Sequence, residues 1–134
     1  MALLIDADVL IRLERSARNL QPLMKSHGEE QVYLSVVTAS ELLHGVWRAR
    51  DIAVRARRQD FVEAILDRIP ILEIDVSVAR RHASLWAELA EKRAMIGLHD
   101  SWIAATCLVH QLTLLTYNAR EFDRVQGLTY RIPG

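Results

Sequence analysis

The sequence predicts an α/β fold with a central, mainly parallel β-sheet flanked by helices. Short apolar runs typical of buried strands alternate along the chain with longer segments that have helical apolar spacing. The chain contains no internal repeat, low-complexity tract or linker that would divide its 134 residues. With 51% hydrophobic residues it is long enough to bury a substantial core, so one domain spanning residues 1–134 is expected.

The first element is a strand at residues 3–5, where a short apolar run is ended by Asp6. Helices are predicted around 9–15 and 19–27, and the Gly-Glu-Glu segment at 28–30 is expected to form a turn. Asp6 therefore lies at the C-terminal end of a buried strand.

A second strand is predicted at residues 32–37, which are mostly β-branched or aromatic. A helix around 38–49 follows directly and carries Glu41 in its first turn. A further helix spans about 51–68, and Pro70 marks its end. A second acid thus follows a second strand.

The middle of the chain supplies a third strand at 71–74 and a long helix over 76–93. Gly97 separates that helix from the next one, at 99–108, which Asp100 opens. No clear strand precedes Asp100, so the chain pattern alone does not place this acid at the sheet edge.

The last part of the chain contains a strand at 112–116, whose residues suit the interior of a parallel sheet. Asn118 and Glu121 leave that strand on the same side, and residues 130–132 are expected to add a short final strand. In an open parallel sheet, ligands bind outside the carboxyl ends of the strands. Residues that follow different strands are therefore expected to meet there.

Four acids are candidates for such a site, namely Asp6, Glu41, Asp100 and Glu121, with Asn118 beside them. At separations of about 6 Å, each pair of carboxylates repels by about 2 to 3 kcal/mol at an effective dielectric near 20. A cation is therefore expected among them. Ligands that are all oxygen atoms favour Mg²⁺ or Mn²⁺ over zinc.

The alternative interpretation is that each acid only caps a helix, because acids are favoured at helix N-termini. Thr38 and Glu41 have the spacing of a capping box, and Asn118 and Glu121 resemble one. The sequence pattern alone leaves both interpretations open.

Composition limits the other classes of protein. No apolar run approaches the roughly 20 residues of a membrane span, and the N-terminus lacks the basic region and cleavage site of a signal peptide, so a cytoplasmic protein is expected. Cys107 is the single cysteine, which excludes an internal disulfide, and its apolar surroundings predict a buried thiol.

The formal net charge is zero, but the basic residues are unevenly distributed. Of 17 basic residues 15 are arginine, the better phosphate ligand. Five that lie close together are candidate RNA-binding residues: Arg48, Arg50, Arg55, Arg57 and Arg58. Alternatively these arginines form solvated helix faces that pair with Asp51, Asp60 and Glu63 at helical spacing.

Four segments occur in the order found in one known family: LIDADVLI, SVVTASELLHGV, GLHDSWIAAT and LTLLTYNAREFDRVQGL. In these segments the sequence resembles the PIN domains, and among them the VapC-type ribonuclease toxins of bacterial toxin-antitoxin pairs. The resemblance covers essentially the entire chain and implies a PIN-like domain.

For the site, the resemblance implies that Asp6 and Asp100 are the main metal ligands, with Glu41 as the acid of the helix-opening segment. It implies that Asn118 and Glu121 form the closing part of the site. The sequence departs from the family pattern at Asp8, where Asn or Ser is common. A second departure is Glu121, which stands where many members carry Asp.

For the activity, the resemblance implies an endoribonuclease that uses Mg²⁺ or Mn²⁺ to activate water and leaves 5′-phosphate and 3′-hydroxyl ends. The expected substrate is RNA, either tRNA or ribosomal RNA. The expected partners are a VapB-type antitoxin that inhibits the enzyme and a second copy in a homodimer. Operator DNA would be bound only through the antitoxin, and no membrane is involved.

Two other functions remain open. Asp6 and Asp8 after an apolar strand also resemble the phosphotransferases of the haloacid dehalogenase type, but the lysine that such chemistry requires is not suitably placed, since only Lys25 and Lys92 occur. The second alternative is a degenerate PIN domain that serves as a non-catalytic RNA-binding or assembly module. Such a module is expected to have lost acids that this chain retains.

Overall fold

The computed structural model describes residues 2–17, 19–28 and 30–134, and its strands form one parallel sheet. Its strands are β1 (Ala2–Ile5), β2 (Gln31–Ser35), β3 (Ile71–Leu72), β4 (Thr113–Leu115) and β5 (Tyr130–Arg131). Their order across the sheet is β3-β2-β1-β4-β5, and all neighbouring strands are parallel. The predicted α/β fold with a central parallel sheet is confirmed.

Helices follow the strands in the predicted alternation. In the described ranges they are α1 (Ala7–Ser16), α2 (Gln21–Ser26), α3 (Val36–Arg48), α4 (Ile52–Arg68), α5 (Val76–Glu91), α6 (Leu98–His110) and α7 (Ala119–Phe122). The turn predicted at 28–30 includes Glu29, which lies outside the described residues. Within those same ranges, none of the helices has the length and apolar character needed to cross a membrane.

Strand β1 lies in the middle of the sheet and separates two apolar clusters. Leu3, Leu4 and Ile5 are fully buried. Because successive side chains of a strand point to opposite faces, Leu3 and Ile5 pack with α1, α3 and α4, whereas Leu4 packs with α5 and α6. Both faces of the sheet are therefore covered, and the carboxyl ends of its strands meet at one edge.

The second strand is shorter than predicted. β2 ends at Ser35, and Val36 and Val37 belong to the first turn of α3. The Ser35 hydroxyl accepts a hydrogen bond from the Val37 amide at 3.1 Å, so this cap starts the helix two residues before Thr38. The predictions of a capping box at Thr38 and of Glu41 in the first turn are therefore wrong, and Glu41 lies in the second turn.

Candidate active site

Asp6 connects the central strand to α1 and is held there by two hydrogen bonds. Its Oδ1 accepts from the Ala7 amide and its Oδ2 accepts from the Thr116 hydroxyl, each at 2.8 Å. The Asp6 amide donates to the Leu115 carbonyl, which extends the pairing of β1 with β4. Asp6 is only 6% exposed. It is the N-cap of α1, so the capping interpretation describes its local role correctly.

Asp8 binds the segment that follows β4. Its Oδ2 accepts a hydrogen bond from the Tyr117 amide at 3.1 Å. In the same segment the Thr116 hydroxyl oxygen accepts from the Asn118 amide at 2.9 Å. These bonds fix the chain after β4 against the start of α1, so two distant parts of the sequence meet at one sheet edge.

Glu41 reaches this edge from the second turn of α3. Its Oε1 lies 3.4 Å from Nδ1 of His99, which belongs to the first turn of α6. The Glu41 side chain is 31% exposed, whereas His99 is 62% exposed. Glu41 does not cap its helix, so the capping interpretation does not account for it.

Asp100 is the third residue of α6, and its carboxylate contacts the segment after β4. Its Oδ2 accepts a hydrogen bond from Asn118 Nδ2 at 3.4 Å. Asn118 is the N-cap of α7, but its side chain makes no capping bond to that helix. Glu121 of α7 is close enough for its charge to raise the pKa of Asp100. The structure thus places Asp100 with the other acids, although no strand precedes it.

Burial and like charges raise the pKa of these carboxyl groups. Burial is the main cause for Asp6, whose pKa rises to about 6 with added contributions from the charges of Asp8 and Asp100. The pKa of Asp100 also rises to about 6, first through burial and then through the charges of Glu121 and Glu41. Burial raises the pKa of Asp8 and of Glu41 as well. A nearby cation would favour the ionised forms of all these groups.

Most of the predicted site residues line an open cavity of about 390 Å³, the acid cavity. The polar residues that line it include Asp6, Asp8, Glu41, Asp100 and Asn118. Glu121 is not among the described lining residues and acts on the cavity through its charge on Asp100. The structure therefore brings three of the four acids and Asn118 to one cavity, and their catalytic and metal-binding roles stay predictions.

These residues fit a hard divalent cation, although they do not form a ready-made site. Among the described residues, Asp8 Oδ1 and Glu121 Oε2 are buried without a hydrogen-bond partner. Carboxylate and amide oxygens are the ligands that Mg²⁺ prefers. In the same part of the chain no three acidic, histidine or cysteine side chains are placed to ligate one ion together. Several of these acids accept hydrogen bonds from neighbouring groups instead, so side chains would have to rotate before three of them could ligate one ion.

The cavity also contains a basic residue that was not predicted as a site residue. Arg12 of α1 lines it, and its guanidinium carbon lies 3.8 Å from the centroid of the Tyr117 ring. The charge of Arg12 lowers the pKa of Asp8, in opposition to the larger effect of burial. The sequence held a signal for the proximity of Arg12 to Asp8, since these residues are four apart in α1 and therefore lie on the same face of the helix.

The five predicted RNA-binding arginines occupy different environments. Arg48 and Arg58 line a second cavity, of about 570 Å³, which shares Glu41 with the acid cavity. Arg57 and Arg58 line a neighbouring cavity of about 520 Å³. Arg50 is exposed. The cavity with Arg48 and Arg58 is the one that adjoins the acids.

Two of these arginines also have structural contacts. Arg55 Nε donates to the Ala49 carbonyl at 2.9 Å. Arg58 Nε lies 3.0 Å from the Glu14 carboxylate, and its Nη1 donates to the Gly45 carbonyl.

The alternative partners proposed for the arginines are not those that the structure shows. In the described ranges, none of the five arginines forms an ion pair with Asp51, Asp60 or Glu63. Asp51 instead caps α4, where its Oδ1 accepts from the Val54 amide at 3.0 Å.

A profile of the PIN domain family matches residues 3–128. The chain belongs to the PIN-domain family. This PIN domain is similar to Ribonuclease VapC1 of Rickettsia felis, with 35% identity over 128 residues that cover 96% of this chain and 93% of that protein. It is also 33% identical over 95 residues to the tRNA(fMet)-specific endonuclease VapC of Shigella flexneri, covering 71% of this chain and 70% of that one.

The crystal structure of VapBC-5 from Mycobacterium tuberculosis, a member of the VapBC family of toxin-antitoxin systems, has the same fold. It superimposes on this PIN domain with a TM-score of 0.74 at 29% identity, covering 98% of this chain and 96% of that chain. The PIN domain is thus of the VapC type, and the resemblance seen in the sequence is confirmed. Its relatives are nucleases, which supports a nuclease here.

Proposed function

We propose that this PIN domain is the toxin of a toxin-antitoxin pair and acts as a metal-dependent endoribonuclease. The observation that supports this most directly is the meeting of Asp6, Glu41 and Asp100 from three separate parts of the chain in one cavity. Burial and the charges of neighbouring acids raise the pKa of these carboxyl groups, and a bound cation would favour their ionised forms. RNA phosphodiester bonds are the proposed substrate.

Asp6, Asp100 and Glu41 would hold Mg²⁺ or Mn²⁺. When bound, the cation would lower the pKa of water and offset charge on the phosphate. Thr116 keeps the Asp6 carboxylate oriented through its hydroxyl. Asn118 orients Asp100 through its side-chain amide. These contacts keep Asp6 and Asp100 at the same edge of the sheet, where rotation of the side chains would bring their carboxylates to one cation.

Asp8 and Glu121 would complete the site. Each has a buried carboxylate oxygen without a hydrogen-bond partner among the described residues. Such oxygens can accept hydrogen bonds from water. They would therefore bind and orient water close to the cation, and Glu121 would close the site together with Asn118.

The RNA would extend from the acids into the cavity that Arg48 and Arg58 line. That cavity shares Glu41 and Ile11 with the acid cavity, so a bound strand could pass from one to the other. Arginine side chains bind phosphate oxygens through paired N–H groups. The tRNA specificity of the Shigella flexneri relative makes tRNA the first substrate to test, and ribosomal RNA the second.

The proposed partners are a VapB-type antitoxin and a second copy of the chain. The similarity to VapBC-5 supports an antitoxin that inhibits the nuclease and that alone would contact operator DNA. Exposed Trp47 and Ile52 favour a homodimer, since their side chains are 75% and 86% exposed. Sedimentation of the purified chain with and without antitoxin would test both associations.

RNA cleavage is expected to require a divalent cation. Purified, antitoxin-free protein should cut tRNA with Mg²⁺ or Mn²⁺, lose the activity in a chelator and regain it when Mg²⁺ is restored. Mapping of the product ends should give 5′-phosphate and 3′-hydroxyl, because metal-activated water would be the nucleophile. Cyclic phosphate ends would contradict this mechanism. RNA binding without any cleavage would instead support the non-catalytic PIN module.

Replacing Arg12 by Gln is expected to lower kcat/KM for tRNA by roughly 10- to 100-fold, because a charged hydrogen bond to phosphate contributes about 1.5 to 3 kcal/mol. Arg12 is placed for such a bond because its positive side chain lines the acid cavity, where the phosphate would lie. Single-turnover cleavage at several salt concentrations would measure the effect.

Arg80→Gln is the matched control, since it removes the same charge from an exposed position of α5. It should leave kcat/KM essentially unchanged. An equal loss in both variants would show that Arg12 acts only through the overall charge of the protein.

A further inference from the structure

A buried histidine lies behind the first turn of α6, the turn that carries Asp100. His82 of α5 is 4% exposed, and its Nε2 lies 2.8 Å from Ser101 Oγ. Its ring stacks on Trp102, with ring centroids 3.6 Å apart and planes within 6° of parallel. His82 therefore contacts both of the residues that follow Asp100 in α6.

The hydrogen bonds of this group determine which ring nitrogen carries the proton. The Ser101 hydroxyl has one hydrogen, and it donates this hydrogen to the Leu98 carbonyl at 2.6 Å. It can therefore only accept from His82, so Nε2 is the donor. Burial lowers the pKa of His82, which favours the neutral ring with Nδ1 unprotonated.

Few other polar side-chain contacts hold the first turn of α6 in the part of the chain that the structure describes. The helix begins after Gly97, which has no side chain with which to cap it. Leu98 and His99 are each 62% exposed. Within the described ranges, the Asp100 carboxylate accepts a single side-chain hydrogen bond, a long one of 3.4 Å from Asn118. The exposed His99 contacts Glu41 at 3.4 Å, so among the described residues the hydrogen bonds that link His82, Ser101 and the Leu98 carbonyl are the main buried side-chain anchor of this turn.

Helix α5 provides a fixed support for that anchor. Val78, Leu85 and Leu89 of α5 are at most 2% exposed, and the Asp75 side chain caps the helix by accepting from the Val78 amide at 3.0 Å. His82 lies between these core residues on α5. Its position is therefore determined by the core and not by the cavity that contains the acids.

We propose that His82 is a positioning residue that acts through Ser101 to hold the first turn of α6, and so directs the Asp100 carboxylate towards the divalent cation. This inference rests on the proposed function, because it concerns the metal that Asp100 would bind. Groups that orient a metal-binding side chain typically change metal affinity by about 10- to 100-fold when they are removed.

Three variants separate the hydrogen bond from the packing. His82→Phe keeps a ring that can stack on Trp102 but removes the donor. Ser101→Ala removes the hydroxyl, and His82→Gln provides an amide N–H in place of Nε2. Thr106→Val is the matched control, since Thr106 is also buried in α6 and its hydroxyl donates to a backbone carbonyl, that of Trp102, at 2.8 Å.

Mn²⁺ binding, followed by electron paramagnetic resonance, should weaken by roughly 10-fold in His82→Phe and in Ser101→Ala. His82→Gln should recover most of the affinity, and Thr106→Val should retain the wild-type value. The double variant His82→Phe with Ser101→Ala should bind Mn²⁺ about as well as whichever single variant has the lower affinity, because both changes break the same chain of hydrogen bonds. Affinity losses that are equal in all four single variants would overturn the proposal, since they would reflect general loosening.

A second measurement does not depend on the metal. In metal-free protein, hydrogen exchange at the amides of residues 101 and 102 should be faster in His82→Phe and Ser101→Ala than in Thr106→Val. Nitrogen NMR of the wild type should show His82 with a protonated Nε2 and an unprotonated Nδ1.

Unchanged hydrogen exchange in both variants would overturn the proposal that His82 and Ser101 hold the first turn of α6. If wild type and Asp100→Asn bound Mn²⁺ equally, the proposed metal site would fail, whereas faster exchange would still support the anchor.

Discussion

Asp100→Asn is expected to lower tRNA cleavage at saturating Mg²⁺ by roughly 10³-fold or more, an effect of the size seen when a central catalytic group is removed. Asn has nearly the same volume and can still accept the hydrogen bond from Asn118, so the fold should be retained. What is lost is a negative charge that would attract the cation and hold it beside Asp6. Single-turnover cleavage together with Mn²⁺ affinity would measure both effects.

Asp123→Asn is the control for this change. Asp123 follows α7, is exposed, and accepts a hydrogen bond from the Tyr130 hydroxyl at 3.2 Å. Its replacement should leave both cleavage and Mn²⁺ affinity close to wild type, because Asp123 does not line the acid cavity. Full activity in Asp100→Asn would remove Asp100 from the proposed site, even if the other acids still bound metal.

The parallel sheet and the edge where its strands end could be predicted, because the apolar run of each strand is a local signal, whereas the order of the strands was not predicted. The apolar run before Asp6 and the run at 112–116 lie in adjacent parallel strands. The start of α3 could not be placed correctly, because Val36 and Val37 have high strand propensity. The Ser35 cap overrides that propensity in the folded chain. Boundaries of this kind depend on a single hydrogen bond, which periodicity does not detect.

Asp6, Glu41, Asp100 and Asn118 line one cavity as the sequence led us to expect, Asp100 through the family resemblance alone, whereas the hydrogen bonds that orient the acids could not be predicted. Thr116 and Asn118 contact Asp6 and Asp100 only after distant segments meet, over separations of 110 and 18 residues in the sequence. His82 gave no signal at all, because a lone histidine in a helix is usually part of the core or the surface. Its contact with Ser101 is evident only from the packing of α5 on α6.

Asp6→Asn is expected to stabilise the metal-free protein at pH 7.5, even though it should abolish cleavage. Burial raises the pKa of Asp6 from 3.8 to about 6, so the ionised carboxylate disfavours the folded state at neutral pH. A shift of this size corresponds to roughly 2 to 3 kcal/mol in the free energy of unfolding. Thermal unfolding in a chelator should therefore show a higher Tm for Asp6→Asn than for the wild type.

The direction of the predicted Tm change follows from the way the stability depends on pH. Because the pKa of Asp6 is raised in the folded state, its stabilising contribution is complete below about pH 4 and is lost as the pH rises through about 6. The Tm of the metal-free wild type should fall over this range, and that of Asp6→Asn should fall less, since Asp100 still titrates there. Added Mg²⁺ should raise the Tm of the wild type at pH 7.5 but not that of the variant.

Asp75→Asn separates this effect from helix capping. Asp75 is the N-cap of α5, as Asp6 is of α1, but it lies outside the acid cavity, and Asn caps helices about as well as Asp. Asp75→Asn should therefore change the Tm little at any pH. If Asp6→Asn instead lowered the Tm in chelator at pH 7.5, the carboxylate would be needed mainly for its bonds to Ala7 and Thr116. Asp6 would then be a structural residue, and the proposed cation would have to be held by Asp100 and Glu41.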